Sequence, residues 1–529
     1  MGCRLVRVLG LPAGLMLLGG PAAGQGPPPR PDAPALVVLI AVDQMRADYL
    51  ARWGEQWTGG FRRFHAEGTV FEHGRQEHAA TETAPGHATM LSGREPVHTG
   101  IVLNSRGIQD PASPVLGGND SVGASPRRFR GSTLYDWMLA QDSGTRVLSV
   151  SRKDRAAILP VGRARGTVLW LAGGRFTTSR YYADTLPAWV RAFNDRGGIA
   201  RLAGTAWDLL RPDSAYAESD SMPYENGGQD FVFPHRLPAA DVIGRRIAAY
   251  PWMDSLTLAL ALEGVGQLQL GGRPHPDLLS ISLSTTDAVG HAYGPDSREM
   301  HDQLLRVDLW LGQFMDSLGR LVSPVRTLFV LTGDHGVQSL PEYAVLVRHR
   351  KAGRISLAGV ARRLEAQLEG RYRADFDVTF DNGLVTGDVE ALRARGVNVD
   401  SLSTALADDV GHVPGIAAVF TPATLRAAPD SGTAAHLWRR LLPPDFGWLI
   451  CVSTKPGYIW SNGSLGAEHG AAGPEDVEVP IAFLGAGIPA QLVERPARTV
   501  DIAPTLARLL MVRPTEPLDG VVLPEVVGP

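Results

Sequence analysis

Cysteine is almost missing from this chain: two in 529 residues, at Cys3 and Cys451. Cys3 falls in a stretch that reads as a removable leader, so the mature chain is expected to carry one thiol and no intramolecular disulfide. Cys451, inside WLICVST, reads as a small buried hydrophobe. Long apolar runs are missing too. VLGLPAGLMLLGG near the start is too short to span a bilayer comfortably, and no other segment approaches about 20 consecutive apolar residues. That excludes a membrane-spanning mature chain. Charge of one sign is not in surplus either. The net charge is −4, and there is no basic stripe to recommend nucleic acid as a partner. Nothing in the sequence specifies an oligomer.

What is present begins with an address. MGCRLVR is short and basic, the apolar stretch follows, and PAAGQ supplies small residues. This is the pattern of a secretory signal peptide over residues 1–24, cleaved near Gly24–Gln25, and it predicts a bacterial periplasmic or secreted protein. A Pro-rich linker, QGPPPRPDAP, occupies 25–34. From 35 to 529 the chain reads as one catalytic domain. The run LVVLIAV (36–42) has no polar alternation, as expected for a strand covered on both faces. Similar runs recur at 145–151, 277–284, 326–332 and 479–487. Helical patterns at 132–142, 297–322 and 499–512 separate them. Strands alternating with helices predict an α/β fold, with a mostly parallel central sheet flanked by helices. Residues 160–275 and 340–465 break the pattern and read as two long insertions that wall or cap a cleft.

Six ligand-type side chains stand beside the apolar runs or in Gly-rich loops. They are Asp43 (VVLIAVDQ), Asp287 and His291 (TTDAVGHAYG), Asp334 and His335 (LTGDHG), and His469 (GAEHGAAGP). Ligands in open α/β sheets gather at the carboxyl ends of strands, which is where these fall. Asp and His donors suit zinc, and catalytic zinc keeps three protein ligands and an open position. Six donors therefore divide into Asp287, His291 and His469 on one ion, and Asp43, Asp334 and His335 on the other. Asp287 and His291 are one helical turn apart and share a face. Two such ions side by side clamp a displacement at phosphorus. A hydroxyl, Thr83 in ETAPGHATMLSG, is the candidate nucleophile, activated as an additional ligand to one ion. Read locally, Thr83 is equally a helix N-cap, Thr81 competes with it, and His87 reads as a packing residue.

The order D…T-x-P-G-H…D-x-x-x-H…D-H-G…H-G resembles the alkaline phosphatase superfamily. VDQMRADYL, TAPGHATMLSG, HTGIVLN and SRKDRAAILP resemble, more narrowly, its phosphate-irrepressible alkaline phosphatases and their phosphodiesterase cousins. The resemblance implies two zinc ions per chain, divided as above, and Thr83 as the residue phosphorylated in turnover. It implies that Asn104 donates to a phosphate oxygen. It also implies that Lys153 and Arg155 bind the phosphoryl group of a monoester. The expected activity is hydrolysis of small phosphate monoesters. The alternatives are a nucleotide pyrophosphatase or phosphodiesterase on the same metals, and a non-catalytic zinc-stabilised binding protein. A sulfatase is disfavoured, because Thr83 and His87 stand where Cys or Ser and an Arg would be required.

Overall fold

Apolar β-branched runs need cover on both faces, and the centre of the fold supplies it. The structure, a computed structural model, describes residues 34–117, 122–372, 378–429, 433–461, 463, 465–485 and 487–528. The expected leader, its cleavage site and nearly all of the linker lie outside them. A nine-stranded sheet runs through the molecule. In chain order its strands are β1 (Leu36–Val42), β2 (Thr69–Phe71), β3 (Val147–Ser151), β4 (Thr167–Ala172), β5 (Arg175–Thr177), β6 (Asp277–Leu283), β7 (Thr327–Thr332), β8 (Ile481–Gly485) and β9 (Gln491–Val493). Their spatial order is β9-β2-β8-β7-β1-β6-β3-β4-β5. The five strands β7, β1, β6, β3 and β4 are mutually parallel. The mostly parallel α/β sheet is as expected. The run at 479–487 adds an antiparallel strand, β8 against β7. The short strands β2 and β9, which end the sheet on that side, carry too few residues to show a period and were not foreseen.

β1 shows why the centre is stable. Every residue of it is buried. Leu36, Val38, Ile40 and Val42 enter the core on one face of the sheet, and Val37, Leu39 and Ala41 enter the core on the other. That is the strand's period of two feeding two helix layers. The first layer includes Trp252–Leu268 and Arg298–Gly319, and the second includes Ile502–Leu510.

The stretch 160–275 does not leave the sheet at its start, because β4 and β5 belong to it. Beyond them lie the helix Ala188–Asp195, short turns around 206–236 tied down by one buried carboxylate, and the helix Trp252–Leu268, which returns to the sheet. Asp302 accepts from Trp207 Nε1 and Tyr216 Oη, each at 2.7 Å. The stretch 340–465 builds a separate antiparallel sheet in the order 378–381, 384–387, 448–454, 416–420, with its own core around Leu406, Leu449 and Trp460. Cys451 is buried in that sheet, a free thiol whose pKa burial pushes far up. Among the described residues, no helix is long and apolar enough to cross a membrane.

Candidate active site

Four neighbouring parallel strands deliver the site from their carboxyl ends. In spatial order, β7 leads to Asp334 and His335, β1 to Asp43, β6 to the helix Thr285–Tyr293 with Asp287 and His291, and β3 to Lys153 and Arg155. His469 comes from a loop just before β8. Thr83 opens the helix Thr83–Met90 and is buried; its neighbour Glu82 holds the cap position, so Thr83 is not the N-cap.

The side chains converge. Lys153 Nζ lies 2.7 Å from Asp43 Oδ2 and 2.8 Å from Asp287 Oδ2. It also donates to Thr83 Oγ1 at 3.0 Å. Two groups of three have ligand atoms all within 4.8 Å of one another: Asp43, Asp334 and His335, and Asp287, His335 and His469. The first is the set expected. In the second, His335 takes the place foreseen for His291. His291 remains adjacent, with Nε2 3.3 Å from Asp287 Oδ1 and its ring centroid 5.0 Å from that of His469.

Whether these residues suit cations is decided by their unused atoms. Asp43 Oδ1 and His335 Nε2 are buried without a hydrogen bond, and Asp43 Oδ2 and Asp334 Oδ2 are met only by Lys153 and His87. Nδ1 of His291, His335 and His469 faces the carbonyls of Ala467, Gly336 and Thr81, at 2.7, 2.9 and 2.7 Å. A carbonyl only accepts, so each Nδ1 carries a proton, and in the neutral rings of His335 and His469 Nε2 presents a lone pair; for His291 burial opposes a second proton, but Asp287 outweighs it and raises the ring to about 9, so a cation there would displace that proton. Those lone pairs face carboxylate oxygens: His335 Nε2 is 3.6 Å from both Asp43 and Asp334, and His469 Nε2 is 3.7 Å from Asp287. Lone pair against carboxylate is repulsive unless a proton or cation lies between. Two buried carboxylates, Asp43 and Asp287, also share the Lys153 ammonium. The donor set fits divalent cations.

The charge balance of the metal-free protein says the same. Burial, aided by Asp334, pushes Asp43 up to about 6. Burial also opposes ionisation of Asp287, but Lys153, His291 and His469 outweigh it and hold that carboxyl well below its usual range. Burial, then the neighbouring His335 and His291, holds His469 well below the usual imidazole range, in the neutral form a ligand needs.

Gln44, Glu82 and Gly86, not singled out from the sequence, complete the frame with residues that were. Gln44, at φ +65°, donates its backbone N–H to Asp334 Oδ1 at 3.0 Å and its amide to Asp287 Oδ1 at 3.2 Å. Gly86 is required for close approach: a Cβ there would stand 2.1 Å from the carbonyl oxygen of Asp334. His87 packs, as expected, but also reaches Asp334 Oδ2 at 3.2 Å. Thr81 is structural, bridging Ala471 O and Gly470 N. Asn104 Oδ1 accepts from Ala84 N at 2.8 Å, which turns its NH2 away from the helix start with no partner among the described residues. Glu82 accepts from Asn104 N and from the side chain of Asn382. Burial, then Asp381, pushes Glu82 up to about 7. Arg155 is near enough to Glu82 to favour its charged form, and its Nε is buried without a partner.

A sequence model of the type I phosphodiesterase / nucleotide pyrophosphatase family matches residues 37–375. The chain belongs to that family. It is a branch of the alkaline phosphatase superfamily, the resemblance already visible in the motifs. Among members, alkaline phosphatase PhoK of Sphingomonas sp is 33% identical over 539 residues, covering 94% of this chain and 92% of that protein. Alkaline phosphatase PafA of Elizabethkingia meningoseptica is 28% identical over 531 residues, covering 94% and 95%. The crystal structure of wild-type PafA matches with a TM-score of 0.87 at 27% identity, over 94% of this chain and 99% of that one. The fold is alkaline-phosphatase-like.

Proposed function

We propose that this family member is an exported alkaline phosphatase that hydrolyses phosphate monoesters through a phosphothreonine at Thr83, with two zinc ions on the Asp/His sets. One observation carries the reading. The Thr83 hydroxyl, the Lys153 ammonium and one carboxylate from each set meet within hydrogen-bond reach, so nucleophile, phosphate-binding cation and both metal positions share one point. The curated relatives at 33% and 28% identity, both named alkaline phosphatases, support it. The N-terminal pattern supports export.

When bound, the two cations would supply Lewis-acid stabilisation of the departing oxygen and lower the pKa of the attacking hydroxyl. The first set would be Asp43, Asp334 and His335, joined by Thr83. The second would be Asp287 and His469 with His291, foreseen as its third ligand, beside them. Thr83 Oγ1 attacks phosphorus in line. The Oγ–P bond forms as the ester P–O bond breaks, and the electron pair leaves with the alcohol. Lys153 beside Oγ1 favours the ionised hydroxyl. Lys153, Arg155 and the free amide of Asn104 hold the non-bridging oxygens, whose charge spreads in a loose transition state. Water then attacks the phosphothreonine, the P–Oγ bond breaks, and inorganic phosphate leaves. Two in-line displacements give net retention at phosphorus.

A diesterase on the same site is the second reading, favoured by the description of the matching family. The two cations beside the motif distinguish them. A monoester dianion has one more anionic oxygen than a diester, and Lys153 with Arg155 addresses it. The test is kcat/KM of the zinc-loaded enzyme for an aryl phosphate against the matching aryl methyl diester. We expect strong monoester preference, and Lys153→Ala/Arg155→Ala should lower monoester turnover by about 10²-fold or more while changing diester turnover much less. Diester preference in the native enzyme would overturn the monoesterase reading.

A further inference from the structure

Lysine occurs three times in the whole chain, at 153, 351 and 455. The first is in the site above. The other two line one cavity of about 630 Å³. This cavity lies where the antiparallel sheet of 340–465 meets the loops that follow the two metal-type motifs. Gln338, three residues beyond His335, and Ala472, three beyond His469, form part of its wall. Its volume is within the range of pockets that take drug-sized ligands, about 300–1,000 Å³.

The lining separates into two chemistries. Arg348, Arg350, Lys351 and Lys455 stand exposed around it. Arg348 is paired with Asp296 at 2.9 Å, whereas Arg350, Lys351 and Lys455 have no ion-pair partner among the described residues. The interior is largely apolar, with Ala344, Ala418, Ala434, Ala472 and Pro456. Glu475 and Asp476 also line it. Asp476 is fully buried with Oδ1 unpartnered, and Gln338 is nearly so, with Oε1 unpartnered. Between the lining residues Ala344 and Arg348, the chain exposes Val345, Leu346 and Val347 by 45%, 64% and 45%. Three adjacent exposed aliphatics beside unpaired cations are costly to leave bare and mark a binding surface.

We propose that this cavity is a second ligand site, separate from the phosphoryl site, for an amphipathic organic anion. Its acidic head rests among Lys351, Lys455 and Arg350. Its apolar body fills the alanine-lined interior, and a hydrogen-bond donor at its far end satisfies Gln338 and Asp476. Neither Glu475 nor Asp476 favours an anion, so the head must be at the lysine end.

The probe is anilinonaphthalene sulfonate, an aromatic anion carrying an N–H, titrated by fluorescence and calorimetry into the full metal-loaded enzyme with inorganic phosphate present to fill the phosphoryl site. We expect saturable one-to-one binding. Lys351→Glu/Lys455→Glu should weaken it at least tenfold, and Ala418→Trp, which fills the interior, should abolish it. Both variants should hydrolyse a small aryl phosphate within twofold of the native rate, which shows that they fold. Phenylnaphthylamine, the same rings without the sulfonate, should bind at least tenfold more weakly. Absence of saturable binding, displacement of the dye by phosphate, indifference to both variants, or equal affinity for the neutral probe would each overturn the proposal.

Discussion

At the scale of single residues the site depends on contacts with almost no slack. Thr83 is the only hydroxyl placed against Lys153 Nζ by a described hydrogen bond, at 3.0 Å. Thr83→Ala should therefore lower kcat for an aryl phosphate by about 10³-fold or more; near-native steady-state turnover in that variant would remove Thr83 from the nucleophile's role. Gly86 tests the frame rather than the chemistry. Its missing side chain lets the Thr83 helix touch the Asp334 loop. Gly86→Ala should cost about 1–3 kcal/mol of stability by overpacking, read as a lower urea midpoint, and should depress turnover because nucleophile and ligand loop are pushed apart. The ligand types were legible in the sequence because Asp and His beside buried strands have few other uses. Gln44 was not legible: its role rests on a positive φ and a carboxylate 243 residues away, and no local pattern carries either. The place of His335 in both ligand groups was equally invisible. A motif gives residue types, whereas the sharing follows from distances between loops.

At the scale of elements, one hairpin reaches from the 340–465 stretch into the site. Its turn is Asn382–Gly383, with φ of 42° and 80°, the left-handed pair that Asn and Gly adopt most readily. Asn382 donates to Glu82, and Glu82 receives the backbone N–H of Asn104. The hairpin thus steadies Asn104, which on the proposed mechanism holds a phosphate oxygen. Asn382→Ala should lower kcat by about 10- to 100-fold, as losses of supporting hydrogen bonds do, with KM for small substrates little changed. Unaltered kcat would show that Glu82 holds Asn104 unaided. The central strands and the helix Arg298–Gly319 are legible to within a few residues, because continuous apolar runs and a 3.6 period are strong signals, whereas the helix Trp252–Leu268, which packs on the sheet, lies inside a stretch that reads as an insertion. The regular pattern stops at 160, yet β4 and β5 continue the sheet past it. β4 is buried at Val168–Trp170 but partly exposed at both ends, so the signal of a doubly covered strand fades.

For the molecule as a whole, stability should depend on pH through carboxyls buried far from the metal-type residues. Glu95 is an example. Burial pushes it up to about 8, against the pull of Arg440 and Arg498 and with Glu77 and Asp519 adding to the rise. A carboxyl that holds its proton more tightly when folded makes the unfolded state release that proton first. Stability then falls as pH climbs from 4.5 towards 8, by at most about 1.4 kcal/mol per unit for one group. Glu95→Gln should flatten that decline in denaturation midpoints measured across the interval; an unchanged slope would assign it to other groups. The parallel delivery of the site has a consequence in time as well. Asp43 emerges from the ribosome early and His469 late, so the group that contains His469 is incomplete until nearly the whole polypeptide has been synthesised. Strands that are neighbours in space but remote in sequence also pair slowly. On the two-cation reading, metal capture is a late event, made by finished chains rather than by growing ones.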